Sequence, residues 1–299
     1  MPEQQSPDND LDDAAAVFLQ TRSRLFGIAY RVLGSASDAE DIVQEAWLRW
    51  QGYDRSSVQD PAAFLATTTT RLAINFAQSA RARRETYVGP WLPEPIDTSD
   101  DPALGAERGE ALGFAVLLLL EKLPPTERAA YVLREAFDYP YPQIAEIIQS
   151  SEANARQLVS RARKHLATEH HVEPVDPEKQ RLLLDAFVAA AKTGDLAQLE
   201  SLFAADVVSY SDGGGIVRAS RIPVHGRETV AKFIHAFAER FWPGVSVRPL
   251  EVNGQPAVGL DRDGSTFAVV ALILGEDGID QVLWMMNPEK LTGLQEVSV

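Results

Sequence analysis

The apolar positions in the first two thirds of the chain fall at helical spacing. From Asp13 to Leu33, residues Phe18, Leu25, Ile28, Ala29 and Val32 share one side, and Gly34 is placed to end the helix. Ser37 followed by Glu40 has the spacing of a capping box, opening a helix that would bury Ile42, Val43, Ala46, Trp47 and Trp50. Asp60-Pro61 marks a third start, and that helix runs through Phe64, Leu65 and Leu72 into a basic cluster. Its Thr67–Thr70 run forms helix weakly, so packing must hold it. Helices resume from about Glu110, break at Pro124-Pro125 and again at Pro140 and Pro142, and close with one capped by Ser150-Ser151 that ends near Leu166.

Two segments interrupt this texture. Gly89 to Pro102 holds Pro90, Pro93, Pro95 and Pro102 with Asp97, Asp100 and Asp101, the composition of a stiff, extended linker rather than a packed element. His170 to Glu178, with Pro174 and Pro177, reads as a second linker. Beyond it the pattern predicts a helix over Glu178–Lys192, stopped by Gly194. From Val207 onward β-branched runs alternate with turn signals: Asp212-Gly213-Gly214-Gly215, Asp261-Arg262-Asp263-Gly264 and Glu276-Asp277-Gly278. Phe267–Leu274 and Gln281–Met286 are the longest predicted strands, with a helix over Arg227–Arg240 before them. The chain is therefore helical first and α+β afterwards, with no internal repeat.

Composition narrows the function classes. No cysteine is present, which excludes a disulfide framework, a thiolate zinc site and a cysteine nucleophile. The longest apolar run, Phe114 to Leu120, is far short of the roughly 20 residues of a membrane span. The polar, acidic stretch from Met1 to Asp13 is unlike a signal peptide, so the expected compartment is the cytoplasm. The pair His170-His171 lacks the companions of a metal site, and no metal or cofactor is expected.

Net charge is −15. Residues 1–90 carry 9 basic and 12 acidic residues, 91–171 carry 8 and 13, and 172–299 carry 11 and 18. Against that background two basic clusters stand out: Arg81, Arg83 and Arg84, and Arg156, Arg161, Arg163 and Lys164. The overall field repels phosphate, so the isolated chain is expected to bind DNA weakly.

The second cluster lies on a predicted helix-turn-helix. Pro142–Ile148 is the short first helix, Gln149-Ser150 the turn, and a second helix follows from Ser151 or Glu152. Ala155, Leu158, Val159 and Ala162 form its inner face. Asn154, Arg156, Gln157, Ser160, Arg161 and Arg163 form its outer face, and these residue types reach bases and phosphates in a major groove.

Upstream, Asp38-Ala39-Glu40-Asp41-Ile42-Val43-Gln44-Glu45-Ala46-Trp47 resembles the polymerase-binding helix of region 2 in the sigma-70 superfamily. The helix-turn-helix sits where region 4 belongs, and Leu123-Pro124-Pro125-Thr126-Glu127-Arg128 resembles the start of that region. Tyr87-Val88-Gly89-Pro90-Trp91-Leu92-Pro93-Glu94-Pro95 is similar to the linker signature of extracytoplasmic-function sigma factors that carry a SnoaL-like C-terminal extension. Asp212-Gly213-Gly214-Gly215 and Asn287-Pro288-Glu289-Lys290 resemble the two signatures of that extension.

The resemblance implies a multidomain fold. An all-α region 2 occupies residues 1–88, a proline-rich linker 89–109 and an all-α region 4 residues 110–170. An α+β SnoaL-like, nuclear-transport-factor-like cone follows over 171–299. It implies a non-enzymatic specificity subunit of RNA polymerase that directs promoter recognition and transcription initiation. The partners would be core RNA polymerase, through its clamp helices and flap, and the −10 and −35 promoter elements; an unidentified small ligand in the cone is an open expectation, and no membrane is involved.

Asp38, Glu40, Asp41, Gln44 and Glu45 form an acidic face suited both to the helix N-terminus and to a basic partner, here the clamp helices. In the −10-reading helix the usual Asn-x-x-x-Asp-x-x-Arg appears as Arg71-x-x-x-Asn75-x-x-Gln78. Arg71 and Asn75 are assigned to that element, Arg81, Arg83 and Arg84 to phosphates, and Arg156, Gln157, Ser160 and Arg161 to −35. Trp91, Leu92, Pro93, Glu94 and Pro95 are expected to dock on the loop Asp212, Gly213, Gly214, Gly215 and on the segment Asn287, Pro288, Glu289, Lys290.

Two other readings compete. A one-component helix-turn-helix regulator with a ligand-sensing domain would need no acidic clamp-binding face. A fused SnoaL-like cyclase or isomerase would draw its catalytic groups from Tyr210, Asp212, His225, His235 and Trp284. Each of these five also has an ordinary packing or turn role.

Overall fold

In a computed structural model of the chain, residues 7–84, 87–98, 113–167 and 176–294 are described. They fall into two compact units, residues 1–82 with 119–170 and residues 83–118 with 171–299.

The first unit is helical. Helices α1 (Pro7–Leu33), α2 (Ala36–Gln51) and α3 (Pro61–Arg84) come first. The last three residues of α4 (Phe114–Glu121) lead into α5 (Pro125–Glu135), α6 (Tyr141–Ile147) and α7 (Glu152–Ala167). Gly34 ends α1 with φ 67°. The cap of α2 differs from the Ser37–Glu40 expectation: Ser35 is the N-cap, and its side chain accepts a 3.2 Å hydrogen bond from the amide of Asp38. The box is shifted because the chain leaves αL at Gly34 and needs a cap at once. The apolar faces pack as expected, with Ile42, Val43, Ala46 and Trp50 buried and Trp47 half-buried against Phe18, ring centroids 4.9 Å apart.

Three arginines join the helices of this unit, Arg31 and Arg128 buried and Arg24 exposed. Arg128 is 4% exposed; its Nη1 donates to the carbonyl of Val32 at 2.7 Å and to Glu121 Oε2 at 2.7 Å. Arg24 donates to the carbonyl of Phe137 and lies over the Tyr139 ring at 4.9 Å, while Arg31 lies over Phe137 at 5.1 Å. A buried guanidinium needs such a counter-charge and acceptors, because leaving its charge unpaired is costly.

The second unit is α+β. Helices α8 (Pro177–Thr193) and α9 (Leu196–Leu202) lead into β1 (Phe203–Asp212), followed by β2 (Val224–His225), α10 (Arg227–Phe241), β3 (Ser246–Val252), β4 (Gln255–Arg262), β5 (Ser265–Gly275) and β6 (Gly278–Met285). Pro177, read as linker, is instead the first helical residue, behind the N-cap Asp176. The strands form one six-stranded sheet in the order β2-β1-β6-β5-β4-β3. All neighbours are antiparallel except β1 and β6. The three helices cover one face through Leu184, Phe187, Leu199, Val230 and Ile234, which pack on Val258, Val270, Val282 and Trp284.

The opposite face is covered by the extended linker, the start of α4 and the short turns near the end of the described chain. Leu92, Phe114, Leu291 and Leu294 pack there on Val252, Ala257, Val269, Ala271, Leu283 and Met285. The proline-rich linker is extended, as its composition implies, but it is a packed element: Leu92 is 1% exposed and Glu94 6%. Prolines stiffen the segment, and the apolar residues between them supply the surface it buries.

Candidate functional site

Asp212 ends β1, is fully buried, and is the centre of the linker's attachment. Its Oδ2 accepts from the Leu92 amide at 2.8 Å and from Lys290 Nζ at 2.7 Å. Its Oδ1 accepts from the Tyr87 hydroxyl at 2.5 Å and from the Gly214 amide at 3.1 Å. Both oxygens of a buried carboxylate are thus satisfied, and the buried ammonium of Lys290 balances the charge. Lys290 also donates to the Leu92 carbonyl at 2.5 Å and sits 4.2 Å from the centre of the Trp91 ring, a cation–π contact. Asn287 Nδ2 donates to the Tyr87 oxygen at 3.0 Å. Burial first, then the hydrogen bond to Asp212, holds the Tyr87 phenol well above its ordinary value of 10.0.

The glycines make this approach possible. A Cβ on Gly214, which has φ 62°, would stand 2.5 Å from Asn287 Nδ2. One on Gly213 would stand 2.7 Å from the Val217 carbonyl oxygen. The three expected segments, Trp91–Pro95, Asp212–Gly215 and Asn287–Lys290, are therefore brought together by direct contacts.

A second clasp holds the far end of the linker. The Asn253-Gly254 turn between β3 and β4 has both residues at positive φ, 56° and 70°, the geometry of a type I′ hairpin. The side chain of Asn253 accepts from the Ile96 amide at 3.0 Å and its own amide donates to the Ile96 carbonyl at 2.9 Å. The Thr98 amide donates to the Glu251 carbonyl at 3.0 Å, and Asp97 bridges to Val252 in antiparallel register. The linker so pairs alongside the edge strand β3 for a few residues. Neither this clasp nor the role of Tyr87 follows from the motif reading. The Asn-Gly pair is the sequence signal that marks the turn.

In the helical unit the acidic residues of α2 lie towards solvent. Glu40, Asp41 and Gln44 are exposed, while Asp38 and Glu45 are half-buried. Glu40 pairs with Arg22 at 2.6 Å and Glu45 with Arg49 at 2.8 Å. Leu48, one turn beyond Gln44, is 54% exposed and adds an apolar element that the charge pattern did not single out. On α7 the inner face Ala155, Leu158, Val159 and Ala162 is buried, and Asn154, Arg156, Gln157, Ser160, Arg161 and Arg163 are exposed. Gln149, at φ 56°, makes the turn, and the Ser151 hydroxyl caps α7 by accepting from the Asn154 amide.

Several of these arginines already have anionic partners. Arg156 pairs with Glu152 at 2.6 Å and lies 4.3 Å from the Tyr141 ring centre. Arg161 pairs at 3.2 Å with the buried carboxylate of Glu127, and Arg163 at 2.7 Å with Glu135. Arg71 is turned onto the helix-turn-helix, donating to the carbonyls of Ile147 and Glu146, both at 2.9 Å, at the C-terminal end of α6. Asn75 is exposed. Arg81, Arg83 and Arg84 belong to α3, but their side chains lie outside the described ones.

The five residues of an enzymatic reading do not converge. Asp212 is saturated by its four donors, and His225 is exposed on the short edge strand β2. His235 Nδ1 bonds the Gly194 carbonyl oxygen, Trp284 donates to Ser209, and Tyr210 packs on the opposite face of the sheet from Trp284. Among the described residues no helix is long and apolar enough to cross a membrane.

Comparison with known proteins accounts for this architecture. Residues 17–83 match the model of Sigma-70 region 2, and residues 113–166 that of Sigma-70, region 4. The chain is 37% identical over 289 residues to the ECF RNA polymerase sigma factor SigJ of Mycobacterium tuberculosis, covering 92% of each chain. It is 30% identical to the probable ECF RNA polymerase sigma factor SigI of the same species, covering 95% of this chain and 97% of that one. The crystal structure of M. tuberculosis SigJ superposes with a TM-score of 0.76 at 34% identity, over 93% of this chain and 98% of that one. With both sigma regions in order and a relative matching nearly end to end, the chain belongs to the extracytoplasmic-function sigma factors of the sigma-70 family.

Proposed function

We propose that this sigma factor works as a promoter-specificity subunit whose linker is held, and whose activity is set in cis, by its C-terminal α+β domain. Regions 2 and 4 imply core RNA polymerase and promoter DNA as partners. In this reading Asp38, Glu40, Asp41, Gln44 and Glu45, with Leu48, meet the clamp helices. The outward face of α7 reads −35, with Arg156, Gln157, Ser160 and Arg161 at the bases. Arg71 and Asn75 serve the −10 element, with Arg81, Arg83 and Arg84 on phosphates. The boundaries 1–88, 89–109, 110–170 and 171–299 are proposed as functional divisions.

The observation that carries cis regulation is the buried Asp212–Lys290 pair closed over the backbone of Leu92. A buried ion pair is an expensive way to gain stability alone, and it is well suited to fixing one arrangement against others. Holding the linker restricts how regions 2 and 4 can be presented to two separate DNA elements. The hydrogen bonds of Arg71 to Ile147 and Glu146 support the same reading, since a −10 residue so engaged must be released before it meets DNA.

Run-off transcription on fragmented host DNA with sigma-free core polymerase tests both parts. Discrete starts sharing two upstream elements are expected, with a different yield from Trp91→Ala. No starts from either protein would remove the sigma role, and identical starts and yields would remove the cis role.

A further inference from the structure

A cleft of about 620 Å³ opens on the C-terminal domain, bordered on one side by Met286 and Pro288, the neighbours of Asn287 in the linker's attachment. It lies among the end of α10, the β4–β5 hairpin and the loop after β1, and its volume is within the range of small-molecule sites. Three arginines line it: Arg218, Arg240 and Arg262. The one carboxylate among its lining residues is that of Asp263, so the cleft is cationic within a region where acidic residues outnumber basic ones.

Arg262 is held in place. Its Nη2 donates to the Phe241 carbonyl at 2.6 Å, and its guanidinium lies 4.6 Å from the centre of the Phe267 ring. Its Nε is buried and has no hydrogen-bond partner among the described residues. Arg218 and Arg240 are exposed and have no ion-pair or hydrogen-bond partner among the described residues. Phe241 and Phe267, both half-buried, give the cleft an aromatic wall. Guanidinium groups bind carboxylates and phosphates through two parallel hydrogen bonds, and an aromatic wall suits an apolar body attached to such a head. Phe187, Val270, Val282 and Trp284 belong to the apolar core between the helices and the sheet.

We infer that this cleft binds a small organic anion, a carboxylate or phosphate monoester carried on an apolar or aromatic body. For its purpose this inference rests on the reading of the domain as a cis regulator; its chemistry stands apart from that reading. Phe241 packs on Trp242 and Trp284 with centroids 5.3 and 5.6 Å apart, so intrinsic tryptophan fluorescence reports occupancy.

The test titrates the full chain with 3-phenylpropionate, phenyl phosphate and the uncharged 3-phenylpropan-1-ol. At least one anion is expected to saturate a single site, with the alcohol at least tenfold weaker. The better of the two anions identifies the head group. Arg218→Gln and Arg240→Gln should each weaken the anion by about tenfold, the loss expected for a charge-assisted contact. Both positions are exposed, and unchanged urea midpoints would show that the variants remain folded. Equal binding of alcohol and anion, unchanged affinity in both variants, or no saturation by either anion would overturn the inference. Polymerase is absent from the assay, so such a failure leaves the cis-regulatory reading to be judged by transcription alone.

Discussion

Replacing Asp212 by Asn tests the physical basis of linker docking. The carboxylate receives four donors: Tyr87 Oη, the amides of Leu92 and Gly214, and Lys290 Nζ. An Asn side chain has the same shape, but one of its two terminal atoms becomes a donor facing donors. Whichever way the amide turns, Lys290 keeps a buried ammonium without its counter-charge. Breaking a buried pair on one side costs about 3–5 kcal/mol. The remaining carbonyl of Asn recovers part of that, so about 3 kcal/mol is expected. If the loss falls on docking, the opening equilibrium of the linker rises by about a hundredfold. Native-state hydrogen exchange reads it directly, because the Leu92 amide is buried and bonded to Asp212 itself. Leu92 exchange should accelerate by about that factor, while the Val270 amide on the central strand β5 changes far less. The double variant Asp212→Asn/Lys290→Met should be less damaged than the two single costs added together, since it removes the stranded charge as well. Leu92 protection unchanged in a folded Asp212→Asn protein would refute the reasoning.

Two further outcomes follow from the same site. Gly214→Ala places a Cβ 2.5 Å from Asn287 Nδ2 at φ 62° and should cost about 2 kcal/mol, whereas Gly264→Ala, at φ 77° in open space, should cost about 1 kcal/mol; urea unfolding compares them. Folding raises the Tyr87 pKa, so its contribution is complete below pH 10 and is lost as pH climbs towards the raised value. In a spectrophotometric titration the late-ionising phenol component should shrink in Tyr87→Phe, and no change would remove Tyr87 from the clamp.

How much of this was readable from the sequence depended on whether a signal is local. The inner face of α7, the stop at Gly34 and the paired signatures around Trp91, Asp212 and Lys290 are local patterns, and the fold uses each of them. The pattern places the cap at Ser37 and the fold at Ser35, because both offer a hydroxyl and only the φ of Gly34 decides between them. Proline density reports stiffness and not burial, so the composition of the linker does not announce its packing. The sheet face that receives Leu92 is assembled from strands far away in sequence. The engagement of Arg71 with α6, the pairing of Arg161 with Glu127 and the gathering of Arg218, Arg240 and Arg262 are tertiary facts of the same kind. Side-chain type announced cations, while long-range topology chose their neighbours.

The docked linker also stores slack. Residues 87–98 are pinned at both ends, by Asp212 and Lys290 near Leu92 and by Asn253 at Ile96, so their length is withheld from the tether between regions 2 and 4. Twelve residues paid out in full would lengthen that tether by about 40 Å. At 3.4 Å per base pair this is roughly the length of twelve base pairs. On the proposed reading the clamp limits reach as well as locking the linker: the number of extended residues it keeps docked would set the range of distances between two promoter elements that one molecule can bridge.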